Sequence, residues 1–347
     1  MGGALRCPTH LHENMKRRPT MTQTRKFGRI GVEVSLAGLG TVALGNMGRI
    51  VSTADSRAVI DSAWDGGVRL FDTAPMYGHG LAEYRLAEQL RDRHREDYFL
   101  VTKVGRTLTP AASVRDTSPW LNTPPLALSF DYSYDGVLRQ VDDSLQRLGI
   151  NYIDALLVHD TDRFTHGDAQ PQRFREALDG AFRALVRLRD EGVTRAIGIG
   201  VNETDVCLAA LREVDLDCIL IAGTYNLLST TARDELLPEC AQRGVAVING
   251  RIFGSGILAT GTTTGARFNY AEAPQEVVER VRRIEQVCDD FDVELGAVAT
   301  KFAYSHEAIA NVCIGARTVE QQQRTLRWLD ADIPDELWGA LAELDPA

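Results

Sequence analysis

The sequence predicts an α/β fold of the (β/α)8 barrel type, a TIM barrel with a short N-terminal β-hairpin and a C-terminal helix. Three observations predict it. Short apolar runs alternate with amphipathic stretches along most of the chain. The runs lack polar alternation, as expected for strands buried on both faces of a parallel sheet. Each kind recurs about eight times, the number that closes such a barrel. An open doubly wound sheet would want a Gly-rich turn after its first strand, but Gly38-x-Gly40 lies inside that strand and no fitting spacing follows.

Residues 1–25 carry Arg6, Lys16, Arg17, Arg18 and Arg25 against Glu13 alone. They lack the apolar stretch of a secretory signal. A disordered extension is expected there, with Met21 as an alternative start. Residues 26–347 are expected to form one barrel domain. The segment 26–34 reads as two short strands around a Gly-containing turn.

The barrel strands are expected at 35–40, 68–72, 98–103, 153–159, 195–200, 218–223, 245–249 and 311–315. Helical spacing places helices at 54–65, 83–91, 133–148, 174–191, 204–213, 230–243, 274–291 and 319–328. Thr53, Ser133 and Thr318 suit N-caps, and Gly192 and Gly244 suit helix stops. A last helix at 334–344 is expected across the barrel or over its rim. Three long connections, 107–132, 160–171 and 254–273, all follow strand carboxyl ends and so share one face. Long ordered loops there are usually functional.

The bulk numbers narrow the function. A net charge of -10 disfavours nucleic-acid binding. No apolar run is long enough to span a bilayer. The six cysteines form no C-x-x-C pair, so neither zinc nor a disulfide framework is signalled, and scattered thiols suit a reducing cytoplasm. A small-molecule substrate is the expected partner, and no metal is expected.

The stretch Val68-Arg69-Leu70-Phe71-Asp72-Thr73-Ala74-Pro75-Met76-Tyr77-Gly78 runs from strand into loop. By itself it fits a capping Asp72 and a surface Tyr77. Two further strands end in Lys103 and His159. A charge ending a buried strand needs a partner, and an Asp72–Lys103 pair would supply one. A hydrogen-bonded His159 would likewise be ordinary. Neither explains Tyr77. A phenol beside a lysine cation is expected to have a lowered pKa and to exchange a proton near neutral pH. Carbonyl–alcohol chemistry also needs a hydride carrier, which no side chain provides, so a nicotinamide cofactor is implied.

These residues, with Gly38-Leu39-Gly40-Thr41, Phe71-Asp72-Thr73-Ala74-x-x-Tyr77-Gly78, Val101-Thr102-Lys103, Leu157-Val158-His159, Gly254-Ser255-Gly256-Ile257-Leu258 and Gly315-Ala316-Arg317-Thr318, resemble the aldo-keto reductases. The resemblance runs from Lys26 to the C-terminus. It implies Tyr77 as general acid/base, Lys103 as its partner, Asp72 supporting Lys103, and His159 orienting the substrate oxygen. It implies cofactor contacts from Gly40, Thr41, Asp72, Asn202, Phe253, Gly254, Ser255, Gly256, Gly315, Arg317 and Gln321. Substrate contacts are expected from Met76, His79, Trp120 and Asn249 on the mouth loops.

The fifth strand departs from the commoner family pattern, reading Gly198-Ile199-Gly200-Val201-Asn202. Ala222 stands where a glutamine is usual, and Gly250 where an aromatic stacks on nicotinamide. These departures resemble the D-threo-aldose 1-dehydrogenase (L-fucose dehydrogenase) and pyridoxal 4-dehydrogenase group. That implies oxidation of an aldose hemiacetal, such as L-fucose or D-arabinose, to a lactone. Alternatives are pyridoxal oxidation to 4-pyridoxolactone, general aldehyde or ketone reduction, and a cofactor-binding regulator like the potassium-channel β subunits. Arg317 could pair with the 2′-phosphate of NADP or stack on adenine. The subgroup likeness points to NAD.

Overall fold

A computed structural model describes residues 23–112 and 117–344. A hairpin of β1 (Thr24–Lys26) and β2 (Glu33–Ser35) comes first. Then follow β3 (Ala37–Gly40), α1 (Thr53–Asp65), β4 (Leu70–Asp72), α2 (Leu81–Leu90), β5 (Phe99–Val104), β6 (Arg106–Pro110), β7 (Leu126–Phe130), α3 (Tyr134–Leu148) and β8 (Ile153–His159). The chain continues through α4 (Arg163–His166), α5 (Gln170–Glu176), α6 (Phe182–Asp190), β9 (Thr194–Val201), α7 (Thr204–Glu213), β10 (Cys218–Ala222), α8 (Leu236–Arg243), β11 (Ala246–Gly250) and α9 (Ile257–Thr260). It ends with β12 (Arg267–Phe268), β13 (Ala271–Glu272), α10 (Gln275–Asp290), α11 (Leu295–Ala303), β14 (Ile309–Gly315), α12 (Val319–Leu329) and α13 (Asp335–Leu344).

Strands β3, β4, β5, β8, β9, β10, β11 and β14 pair in parallel in that order, and β14 returns to β3 to close the barrel. Closure leaves no unpaired edge, so every strand can be buried on both faces. Alternate side chains sort into two layers. Leu70, Phe99, Val101, Ala155, Leu157, Ala196 and Ile248 fill the interior. Phe71, Leu100, Leu156, Ile197, Ile219 and Val247 pack outward against the helices. The N-terminal hairpin stoppers the amino-terminal end, where fully buried Phe27 meets Phe99 at 4.6 Å between ring centroids.

Several sequence expectations shift. Thr24 and Arg25, assigned to the extension, belong to β1, and the Arg25 guanidinium donates to the Ile309 carbonyl at 2.6 Å. The rest of that extension, residues 1–22, lies outside the described residues. Helix α1 is capped by the Ser52 hydroxyl, which accepts from the Asp55 N–H, rather than by Thr53. Ser133 and Thr318 do cap α3 and α12. The helix expected from 230 starts only at Leu236. Upstream, the Asn226 side chain accepts from the Leu228 and Ser229 amides and holds a turn instead. The helix expected over 174–191 contains a π-turn at Ala177–Ala181. There Gly180 lies so close to Tyr132 that a Cβ would fall 2.3 Å from its carbonyl oxygen.

The largest correction concerns the helix expected at 274–291 as a barrel helix. Its place beside α12 is taken by α11, which no sequence signal marked. Gly296, Ala297, Val298, Ala299, Thr300 and Ala303 of α11 are buried, so it lacks the polar face that reveals a surface helix. Helix α10 instead pairs with α13 through Ile284, Cys288 and Leu337. The C-terminal helix therefore packs on α10, in a cluster that also takes in Leu227 and Leu228 after β10. The long connection 107–132 also contains structure, the antiparallel hairpin β6–β7.

Candidate active site

The alternation that fills the barrel with apolar side chains also aims the last inward residue of each strand at the mouth. On β4, Leu70 points in and Asp72 follows it two residues later. Val101 on β5 and Leu157 on β8 are likewise followed by Lys103 and His159. The Lys103 ammonium donates to Asp72 Oδ1 at 2.6 Å and to the Thr73 carbonyl at 2.8 Å. Both side chains are almost wholly buried, and this pairing is what lets two charges persist there. The Tyr77 ring lies over the ammonium, with Nζ 4.7 Å from the ring centroid. His159 meets the same ring edge-on at 6.0 Å between centroids, and Trp120 lies against it at 5.9 Å. Sequence reasoning and structure thus bring the same four residues together.

The electrostatics differ from expectation. Burial pushes the Tyr77 phenol well above its ordinary range, and the Asp72 and Asp160 carboxylates push it further. The expected lowering by Lys103 does not appear. Asp72 sits against Lys103 with the opposite charge, and desolvation of the buried phenol is the largest cause. The free protein therefore presents a neutral phenol. Burial, then the Lys103 and Arg106 cations, hold His159 well below its usual value, which keeps the imidazole uncharged.

Other expected site residues have different placements. The Thr41 hydroxyl donates to the Asp72 carbonyl at 2.9 Å and is fully buried, so it fixes the end of β4 and does not face the mouth. Asn249 is turned outward from β11. Its amide donates to the Tyr225 and Ala303 carbonyls at 2.9 and 2.8 Å, in the helix layer, so it is no substrate wall. The strand's period of two decides this, since Ile248 beside it points inward. His79 Nδ1 binds the Leu126 carbonyl at 2.7 Å and ties the loop to hairpin β6–β7. Met76 and Trp120 do pack around Tyr77.

The opposite half of the mouth is bare. The inward positions there are Gly200, Ala222, Gly250, Gly315 and Gly40. A Cβ on Gly200 or Gly250 would find only ordinary contacts, the nearest at 3.5 and 3.6 Å. On Gly315 it would meet only the Gly40 carbonyl at 3.5 Å. Packing does not require glycine at Gly200, Gly250 or Gly315, where a flat ligand would; at Gly40 it does, since a Cβ there would fall 2.9 Å from Cys313 Sγ. Beside them Gly254, Ser255 and Gly256 all have positive φ (55°, 67° and 121°). Asn202 gives its Nδ2 to Asp162 at 2.9 Å, which turns its carbonyl oxygen away from that carboxylate. Phe253 packs edge-on against Trp328. Gln321 accepts from the Arg317 amide at 2.8 Å. Arg317 donates to the Met47 carbonyl, and Arg49 and Arg267 stand near enough to depress its pKa after burial has done so.

Sequence reading missed four residues. Arg251 has φ 51° and donates to the Ala222 carbonyl at 2.7 Å, while its Nε and Nη1 are buried without partners. Arg106 and Asp160 form an ion pair at 2.5 Å beside His159. The Cys313 thiol is buried beside Asp72, and each shifts the other's pKa. Strand-end position was the available signal for Asp160, which directly follows His159. Bare glycines and orphaned arginine donors together suit an elongated anionic cofactor with a flat ring. A separate cavity of about 160 Å³, lined by Gln23, Leu36 and Leu326, lies at the other end of the barrel. Among the described residues no cluster of His, Cys, Asp or Glu is placed to hold a metal, and no helix is long and apolar enough to cross a membrane.

A closed parallel barrel with a Tyr–Lys–Asp–His constellation at its carboxyl-terminal mouth defines a class of barrel oxidoreductase. The Aldo/keto reductase family's sequence profile matches residues 37–346. The chain is 41% identical over 331 residues to a pyridoxal 4-dehydrogenase of Microbacterium luteolum, covering 92% of this chain and 96% of that protein. It is 35% identical over 319 residues to a D-threo-aldose 1-dehydrogenase of a Pseudomonas species, covering 90% and 94%. In fold it is similar to a Gluconobacter oxydans glycerol dehydrogenase, with TM-score 0.71 and 20% identity over 91% of this chain and 95% of that one. A Bacillus halodurans aldo-keto reductase in its holo form gives TM-score 0.70 and 22% identity over 93% and 96%. The chain belongs to the aldo-keto reductase family, oxidoreductases that use nicotinamide cofactors.

Proposed function

We propose that this protein oxidises the cyclic hemiacetal of an aldose, such as L-fucose or D-arabinose, to a lactone with NAD. The observation that carries the reading is the convergence on Tyr77. One ring has the Lys103 ammonium 4.7 Å from its centroid and the His159 imidazole at 6.0 Å. Likeness to an aldose dehydrogenase and a pyridoxal dehydrogenase supports it. Pyridoxal, which also closes to a hemiacetal, is the second reading, favoured by the 41% identity.

Gly200 and Gly250 would receive the nicotinamide face, Asn202 its amide, and Gly254–Gly256 with Arg251 the diphosphate. Arg317 and Gln321 would hold the adenosine end. When bound, the oxidised cofactor accepts the hydride and brings a positive charge that favours ionisation of a neighbouring phenol. Tyr77 takes the hydroxyl proton during oxidation and returns it during reduction. Neutral His159 donates a hydrogen bond to the reacting oxygen. Lys103, fixed by Asp72 and Thr73, steadies the phenolate. The buried free thiols Cys207, Cys218, Cys240, Cys288 and Cys313 suit a cytoplasmic enzyme.

The test follows reduced-cofactor absorbance with L-fucose, D-arabinose, pyridoxal and simple aldehydes, each with NAD and NADP. Aldose-dependent reduction of NAD is expected. A protein inert across the panel would refute the function, and a preference for NADP would refute the cofactor assignment.

A further inference from the structure

The Arg106–Asp160 pair is not used by the proton chemistry, yet it lies beside it. Arg106 opens hairpin β6–β7, and Asp160 directly follows His159 at the end of β8. Arg106 Nη2 meets Asp160 Oδ2 at 2.5 Å, and the same oxygen lies 3.5 Å from His159 Nε2. Both side chains are close to nine-tenths buried. Asp160 adopts φ 54°, a left-handed conformation that disfavours side chains, so its placement is maintained against a backbone preference. Tyr132 clamps it from below, with its hydroxyl 2.8 Å from the His159 carbonyl and 3.0 Å from the Asp160 carbonyl.

Hydrogen-bonding capacity remains on both partners. Asp160 Oδ1 takes no hydrogen bond from the described residues. The second amino group of Arg106 points at the Met76 sulfur, a weak acceptor, and its Nε is buried without a partner. The two charges cancel, so the pair does not select an anion. What it offers is a strong acceptor beside a strong donor, which complements neighbouring hydroxyls, each of which both gives and accepts.

We propose that Arg106 and Asp160 are specificity-determining residues that bind the substrate's hydroxyl groups, beginning with the one on the carbon next to the reacting carbon. The substrate class is therefore a neutral polyhydroxylated hemiacetal or aldehyde. This rests on the proposed oxidoreductase reading and deepens it. His159 sets the scale. In the proposed reaction its Nε2 would hold the reacting oxygen, and Asp160 Oδ2 lies 3.5 Å from that nitrogen, about the reach to the adjacent hydroxyl. A site with buried donors and acceptors matched to hydroxyls rejects analogues that leave them unpaired.

The experiment compares a polyol aldose with a hydroxyl-free aldehyde, in the unmodified protein and in Asp160→Asn. Asparagine tolerates positive φ, so the backbone should persist, and a melting curve checks it. The ratio of kcat/KM for the polyol to that for the aldehyde should fall about 10- to 100-fold, mostly through KM, the size expected for losing a hydrogen bond to a charged group. A 2-deoxy-aldose on the unmodified protein should show the same loss, which removes dependence on the variant folding. An unchanged ratio in both arms would overturn the proposal and leave the pair as a tether for the hairpin. Polyol inhibition of aldehyde reduction separates the two readings. If no aldose is turned over yet aldoses compete and 2-deoxy-aldoses do not, the recognition stands and the assigned reaction fails. If aldoses neither react nor compete, the recognition fails.

Discussion

The two halves of the barrel mouth solve opposite problems. On β4, β5 and β8 the last inward residues are Asp72, Lys103 and His159, polar groups in a dry environment whose charges are paired. Across the mouth, β9, β11, β14 and β3 offer Gly200, Gly250, Gly315 and Gly40. One half is over-determined by contacts within the protein. The other is under-filled, and the room at Gly200, Gly250 and Gly315 goes unused by the protein itself, whereas the Cys313 thiol takes the space beside Gly40. The difference teaches that the charged half should be sensitive in stability as well as chemistry, whereas the bare half should register mainly in ligand affinity.

Breaking the charged half should have the largest effect. Lys103→Met leaves Asp72 buried and unpaired, where burial already pushes its carboxyl above the usual range. A loss of about 3–5 kcal/mol is expected in urea unfolding, together with loss of turnover. Adding Asp72→Asn should restore much of the stability without restoring activity. If Lys103→Met alone unfolds at the unmodified midpoint, the pair is not the structural keystone argued here.

Tyr77→Phe probes the same half without disturbing its charges. It removes one hydroxyl and keeps the ring against Trp120 and His159. Turnover should fall about 10²–10⁴-fold. Cofactor affinity, read by fluorescence quenching, should stay close to that of the unmodified protein. Near-normal turnover would remove Tyr77 from the chemistry.

The bare half is tested by Gly250→Val. In the free protein the Cβ would meet Ala222, Leu220 and the Ile221 carbonyl no closer than 3.6 Å, so stability should move by about 1 kcal/mol or less. A ligand lying on that position would be overpacked by about 1–3 kcal/mol, roughly tenfold or more in Kd for the cofactor. Unaltered cofactor affinity in this variant would mean that the glycines do not receive the ring.

How much of this was legible in the sequence follows the same division. The barrel strands were readable because burial on both faces leaves continuous apolar runs, and β8 and α7 were read to the residue. Three of the four converging residues were readable because Asp72, Lys103 and His159 each interrupt such a run at its carboxyl end. Helix α11 was hidden because Gly296, Ala297 and Ala299 bury it nearly all round. Asn249 was misplaced because residue type suggested a site, whereas the inward aim of Ile248 decides its direction. The Tyr77 pKa was misjudged because a nearby lysine is visible in sequence, while the burial of the phenol that outweighs it is a matter of packing. Arg106 was missed for a related reason. It stands three residues beyond Lys103, but only the fold of hairpin β6–β7 turns it back onto Asp160.

The finest distinction is in the pH dependence of the charged half. Burial raises Asp160 to about 6 against the opposing pull of Arg106 and Lys103, with Asp162 adding to the rise. His159 and the Tyr132 hydroxyl also face it. His159 is held well below its usual value and the Tyr77 phenol well above its own, so neither should titrate near pH 6. As pH falls from neutrality through about 6, Asp160 gains a proton and its carboxylate ceases to be a charged acceptor. KM for a polyol substrate should therefore rise on the acid side, while KM for a hydroxyl-free aldehyde should not follow it. In Asp160→Asn the inflection should disappear from the polyol profile. A persisting inflection would assign it to another group and separate Asp160 from substrate recognition.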